Sequence, residues 1–369
     1  MMNRTTLLAA TLLLATAASA QAPAPAVFQT PAVPPPVAQM LVPGSPTYAP
    51  NLPKRPRRCL ITDSGAVADG KTVNTTAIQA AIDKCAANKK GGTLVVPAGT
   101  FLSGSIFLKQ GVNLLVERDG VLKGTTNPDD YPQIASRWEG TEETYTASFI
   151  NADGVTGVEI SGPGTIDGSG EEWVQKNPYR RPATPPGDAS SPAAAAPTTP
   201  RIVISQSTPR RGRPRLIGIQ NSTNVRVAGL HLTNQAVWCL FVLYSTNVEI
   251  DGVSITAAHN IPSSDGIDID SSKHVHINHV FIEDNDDCIS IKSGKDADGL
   301  RVNRPAEDIL IENSHFGYGQ GGVAMGSETS GGIRNVTTLN CLFDGGNWAP
   351  IRFKSQPSRG GVVENITYK

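Results

Sequence analysis

From Leu216 onward the chain alternates short apolar strands with polar turns, and the turns recur. Asn224-VRVAGLHL, Asn247-VEIDGVSI, His274-VHINHVFI, Asp308-ILIENSHF and Asn335-VTTLNCLF share one form: a polar residue, a short strand, a brief break, another short strand. Their starts lie 23, 27, 34 and 27 residues apart. Periods of that size mark solenoids, propellers or arrays. Helical periodicity is absent and β-branched residues abound, so each period holds strands. The pattern predicts an all-β fold: a right-handed parallel β-helix solenoid in which each repeat is one coil and like strands stack.

A further set of strands precedes these units: CLFVLYS (239–245), GIDIDSS (266–272), CISIKSG (288–294), GVAMGSE (322–328) and IRFKSQ (351–356). Aligned on their apolar positions, they predict one column of Phe241, Ile267, Ile289, Val323 and Ile351. A second column holds Leu243, Ile269, Ile291, Met325 and Phe353. Coils stack about 4.8 Å apart, so this register gathers distant polar residues. Asp265 falls on Asp287, Ser264 on Asp286 and then Gln320, and Arg352 and Lys354 join two coils on. Strict alternation turns Asp265 and Asp287 inward. A buried carboxylate pair without partners costs several kcal/mol, so the expectation is a kink that exposes them.

The first half fits the same plan. Residues 73–90 predict one helix, capped by Asn74 or Thr75, with Ala77, Ile78, Ala81, Ile82 and Cys85 on its apolar face. Such a helix covers the open end of a solenoid, whose strand edges need protection. Residues 91–124 read as closely spaced strands and turns, and 175–215 as a mobile insertion. The final ENITYK stops in mid-strand, which predicts a fragment lacking its C-terminal coils or an end covered by something else. The domain layout expected is therefore a signal peptide at 1–20, a Pro/Ala-rich linker at 21–57 and the β-helix at 58–369. Arg4, the apolar run 7–15 and Ala18-Ser19-Ala20 carry the export signal, with cleavage near Ala20 and a secreted or periplasmic product.

A net charge of −1 leaves no basic footprint for nucleic acid. No apolar run reaches the roughly 18 residues of a membrane span, and a monomer is expected. Cys59 and Cys85 are placed to join the first strand to the first helix, although five cysteines fix no bridge. Cys239, Cys288 and Cys341 read as small buried hydrophobes.

The chemistry concentrates at DNDDCISIK, 284–292. Carboxylates gathered on one face divide acid–base labour: repulsion keeps one protonated while another stays ionised to activate water. Glycoside hydrolysis uses that division, and an inverting enzyme leaves about 6.5–9.5 Å between its carboxyls for the water. Arg352 and Lys354, with Lys292 as a weaker candidate, suit a substrate that is itself a carboxylate, such as a uronic acid.

At these residues the chain resembles the polygalacturonase family of pectin-degrading glycoside hydrolases. That family carries an Asn-Thr-Asp element, an Asp-Asp pair, a Gly-His-Gly element and an Arg-x-Lys element on a right-handed β-helix. Here they read SSDGID (263–268), NDDCISIKSG (285–294), GQGGVAMGSE (319–328) and IRFK (351–354). DSGAVADGKTVNTTAIQAAID near the N-terminus and GPGTIDGSGEEW (162–173) extend the likeness. The resemblance implies a pectic polysaccharide substrate, no metal or organic cofactor, and an inverting reaction. It further implies that Asp286 is the general acid, that Asp265 and Asp287 activate water, and that Arg352 and Lys354 bind a substrate carboxylate. Ser263-Ser264 replaces Asn-Thr, and Gln320 stands at the histidine position, where it hydrogen-bonds without titrating. That substitution turns attention to related pectic polymers such as rhamnogalacturonan.

Other readings of the same residues stay open. The alternatives to hydrolytic catalysis are that the aspartates are strand-capping turns, calcium ligands in a pectate-lyase-like enzyme, or remnants in a non-catalytic carbohydrate-binding β-helix. KDADGLRVN (295–303) reads as an exposed loop inserted into a coil. His274, His276 and His279 read as surface or stacking residues rather than metal ligands. Trp238 and Trp348 suit either sugar stacking or burial. His259, Tyr318 and Glu328 lie near the patch without a role.

Overall fold

A computed structural model describes residues 50, 52–176, 212–346 and 349–369. The export signal, most of the linker, most of the 175–215 insertion and Trp348 lie outside the described residues. Within them the chain winds as a right-handed parallel β-helix. Three parallel sheets of ten, eight and nine strands run its length, and each coil contributes one strand to each sheet. One coil reads Ile267–Asp270, Lys273–Asn278, Phe281–Glu283 and then Asp287–Lys292, which starts the next turn in the eight-stranded sheet.

Stacked apolar columns fill the interior. In the ten-stranded sheet Val225, Val248, Val275, Ile309 and Val336 pair coil by coil, and in the nine-stranded sheet Leu232, Ile255, Ile282 and Phe316 do so. All are buried, each contributing about 1.5–3 kcal/mol relative to exposure. In the eight-stranded sheet the inner columns are Leu240, Ile267, Ile289, Val323, Ile351 and Val242, Ile269, Ile291, Met325, Phe353.

One strand therefore departs from the predicted register by a residue: Leu240 and Val242 face inward, not Phe241 and Leu243. CLFVL is apolar at every position, so alternation carries no information there. Phe241 is buried on the outer face instead, packed with Trp238 and under the Arg215 guanidinium, 4.0 Å from its ring centre.

The polar residue that opens each repeat has a backbone reason. Asn224, Asn247, His274, Asp308, Asn335 and Asn365 all adopt left-handed φ of 55–57°. Asparagine and aspartate tolerate that conformation best among residues with a side chain. Their side chains also bond from coil to coil: Asn247 Nδ2 to Asn224 Oδ1 (3.1 Å), His274 Nδ1 with Asn247 Oδ1 (3.2 Å), and Asn335 Nδ2 to Asp308 Oδ1 (2.9 Å). His276 and His279 pair with Glu312 and Asp251.

The helix Thr75–Ala86 buries Ile78, Ala81, Ile82 and Cys85 against the first coil, as the pattern predicts. Asn74 precedes it, but its side chain bonds Val67, Thr72 and Leu102 rather than the helix amides. Cys59 and Cys85 form a disulfide, while Cys239 and Cys288 are buried thiols. Residues 295–303, expected as a loop, contain a helix at Asp296–Val302. A hairpin that the sequence did not announce, Gln133–Trp138 with Thr141–Thr146, folds over the outer face of the eight-stranded sheet.

Candidate active site

The nine-stranded sheet hands each coil to the eight-stranded sheet through a turn, and the acidic residues sit in those turns. Gly266 N donates to Asp287 O and Gln320 N to Asp286 O, so the predicted stacking of 265 on 287 and of 286 on 320 is present. Oxygens of Asp265, Asp286 and Asp287 all lie within 4.8 Å of one another. Asp286 is half-buried at the surface of the group. Asp265 and Asp287 are 4% and 0% exposed, so they join the group but stay buried, against the expectation of a kink that exposes them.

Partners explain how that burial is tolerated. Asp287 accepts from Arg352 Nη1 (3.2 Å) and from Lys354 Nζ. Asp265 lies 3.6 Å from Lys292 Nζ, which pairs more closely with Asp268 at 3.0 Å. The same ammonium sits 4.0 Å above the Trp238 ring, which is itself buried against Trp138. Lys292 is thus tied beneath the patch, whereas Arg352 and Lys354 keep part of their side chains open.

Burial raises the pKa of Asp286 above the usual carboxylate range, and the charge of Asp287 adds to the shift. Burial, then Asp268, raises Asp265 further still, against the pull of Lys292. Asp268 is pushed up to about 6 by burial. Lys292 stays firmly charged although burial opposes it, because Asp268, Glu328 and Asp265 surround it. The set therefore holds a proton at a pH where isolated carboxylates have lost theirs.

Asp284 supports the turn from below. It is fully buried, and its Oδ1 accepts from the Asp286 amide (3.1 Å). Gln320 Nε2 donates to Asn285 O (3.2 Å), bracing the same turn. Ser264 Oγ accepts from Asn285 N (3.1 Å). His259 and Tyr318 stack on each other at 3.8 Å, and His259 pairs with Glu283.

Beside these groups lies a polar pocket of about 190 Å³ whose lining includes Asp265, Asp286, Lys354, Glu328, Lys295 and Glu139. Sequence reasoning did not single out Asp268, Lys295 or Glu139, and it gave Glu328 no role. The alternation in GIDID is the signal that could have found Asp268, since inward Ile267 and Ile269 leave it on the outer face. The contribution of Glu139 and Lys295 depends on how a hairpin and a helix meet, which no periodicity encodes.

The three carboxylates could also share a cation by distance alone. Lys292, Arg352 and Lys354 already set three positive charges against them.

Residues 204–369 match the profile of glycosyl hydrolases family 28, and 60–131 that of rhamnogalacturonase A/epimerase, pectate lyase-like. The chain is 30% identical over 319 residues to an endo-polygalacturonase of Pectobacterium carotovorum subsp. carotovorum, covering 86% of this chain and 72% of that one. It belongs to glycosyl hydrolase family 28. Within the family, a probable polygalacturonase of Vitis vinifera is 31% identical over 316 residues, 83% of this chain. The chain spans only 58% of that relative's length. Among solved structures, a hyperthermoactive exopolygalacturonase from Thermotoga maritima superposes with a TM-score of 0.70 at 29% identity, over 86% of this chain and 73% of that one.

Proposed function

We propose that the protein is a secreted hydrolase of a pectic polysaccharide that cuts an O-glycosyl bond with inversion. The observation that carries the reading is the set of three carboxylates within 4.8 Å, two of them paired with cations that remain partly open or buried alongside. Asp286, the acid nearest the surface, donates its proton to the leaving oxygen. Asp287, clamped by Arg352 and Lys354, takes the proton of the attacking water, and Asp265 helps to hold that water. The carboxylate oxygens, within 4.8 Å of one another, lie closer than the about 6.5–9.5 Å usual for an inverting pair. A water making two hydrogen bonds of about 2.8 Å still fits between acceptors about 4.6 Å apart. Arg352 and Lys354 have a double task, fixing Asp287 and meeting a substrate carboxylate.

Gln320 cannot titrate, so the acid is tuned here by burial and by Asp287, not by an imidazole. The names of the relatives support a galacturonan as substrate. Export is supported by the Cys59–Cys85 disulfide, which belongs to an oxidising compartment.

The test is incubation with polygalacturonate and with rhamnogalacturonan, products read by mass spectrometry and Asp286→Asn run in parallel. Hydrated oligosaccharides from the wild type and about 10²–10⁴-fold less from the variant are expected, the contribution of a positioned acid. Unsaturated products that vanish with chelator would favour a calcium-dependent lyase. Undegraded polymer would favour a binding protein.

A further inference from the structure

Taking a bare ammonium out of water costs several kcal/mol, yet the Lys292 side chain is only 5% exposed. Strand register sets Lys292 opposite Asp270. The hairpin takes that partner away: Arg137 pairs with Asp270 at 2.7 Å, both side chains buried, and bonds Ser271 Oγ at 2.8 Å as well. With Asp270 engaged, the Lys292 ammonium lies 3.0 Å from Asp268 and 3.6 Å from Asp265 Oδ2.

Aromatic packing fixes where the ammonium sits. Its nitrogen is 4.0 Å from the centre of the Trp238 ring, inside the ~6 Å of a cation–π contact. Trp138 of the hairpin stacks on Trp238 at 4.7 Å, and the Arg215 guanidinium lies 4.9 Å from the same ring. Glu328, also buried, stays below the usual carboxylate range although burial opposes this, because Lys292 is close to it.

We propose that Lys292 is a positioning residue, whose ammonium holds Asp265 ionised and in place to accept from the attacking water. The inference rests on the hydrolytic reading above and names a group that acts through Asp265 without meeting substrate. The two carboxylates beside the water then have separate cations: Arg352 and Lys354 for Asp287, Lys292 for Asp265. Burial by itself drives Asp265 to take up a proton, and a nearby positive charge favours the ionised form. Asp268, Asp286 and Asp287 also face Asp265 and oppose its ionisation; Arg215 acts on Asp268, and Glu328 faces Lys292. At 3.6 Å in so dry a place, the ammonium acts far more strongly than it would in water.

The test compares kcat, KM and the pH–rate profile of wild type, Lys292→Met and Asp268→Asn on polygalacturonate, with melting curves to show that each is folded. Lys292→Met should lower kcat at least about tenfold and leave KM within about twofold, since uniform binding of substrate is not what it removes. Its acid limb should move to higher pH, because the charge favouring ionised Asp265 is gone. Asp268→Asn breaks the same ion pair from the other side but leaves the ammonium beside Asp265. It should therefore lose less kcat than Lys292→Met, with an acid limb that stays or moves down. If Lys292→Met does not fold, Lys292→Gln, which can still donate to Asp268, gives the same readings. A raised KM at unchanged kcat would make Lys292 a substrate ligand and overturn the proposal. Equal losses in the lysine and Asp268 variants, with both limbs moved alike, would reduce the pair to a structural one and overturn it too. Either result leaves the hydrolase reading standing, whereas no product from the wild type would overturn both.

Discussion

Asp284, Asp286 and Asp287 crowd three negative charges into four positions, and each meets a different neighbour. Asp284 holds an amide, Asp286 faces the pocket, and Asp287 is clamped by Arg352 and Lys354. Asp265, Asp286, Asp287, Arg352 and Lys354 were legible because register alone stacks them. The burial of Asp268 and Lys292 was not legible, because the hairpin that covers them comes from 130 residues or so upstream and carries no repeat signal. As the proposed acid Asp286 works protonated, and its pKa is raised, so kcat/KM should fall on the alkaline side only above the ordinary carboxylate range. The charge of Lys354 opposes that rise. Lys354→Ala should therefore move the alkaline limb of the pH–rate profile to higher pH, besides raising KM. A limb that stays fixed or moves down would contradict the electrostatic account.

At the scale of the element, apolar periodicity set the strands and fixed their register wherever polar residues alternated. It failed at CLFVL, where the outer face is apolar too because Trp238 and Arg215 cover Phe241. The recurring asparagines looked like punctuation and are also a ladder. Asn335 has φ of 55° and bonds both Asp308 and Asn365. Asn335→Ala forces an alanine into the left-handed region, a cost of about 1–2 kcal/mol. Asn335→Gly relieves the backbone and loses only the ladder bonds, each a net ~1 kcal/mol or less at this exposed position. Chemical denaturation should rank wild type above glycine above alanine. Alanine at or above glycine would show that φ is not the reason for the repeat's polar residue.

For the whole molecule, one continuous core stabilises the solenoid while buried charge opposes it on one side. Asp265, Asp268 and Asp284 all have pKa values raised chiefly by burial. A carboxyl whose folded-state pKa exceeds its unfolded value of about 4 binds its proton more tightly when folded. Its contribution is complete below pH 4 and is lost as pH rises through the folded value, about 6 for Asp268. Asp284→Asn keeps the acceptor for the Asp286 amide and removes the charge. Melting should therefore rise at pH 7.5 relative to wild type and change little at pH 4.5. A lower melting temperature at pH 7.5 would mean that the buried Asp284 charge is compensated. The fold class was readable because a solenoid repeats its own evidence. The pocket beside Asp286 was not, because its lining by Glu139 and Lys295 depends on two insertions that interrupt the repeat.

The central claim is that Asp286 gives a proton to the leaving oxygen while Asp265 and Asp287 direct a water at the anomeric carbon. Proton NMR of the first product formed, before mutarotation, tests it most directly. The account predicts that the new reducing end carries the anomeric configuration opposite to that of the bond cut. Retention would mean that one of the carboxylates attacks the sugar itself, and would contradict the assignment of a water between them.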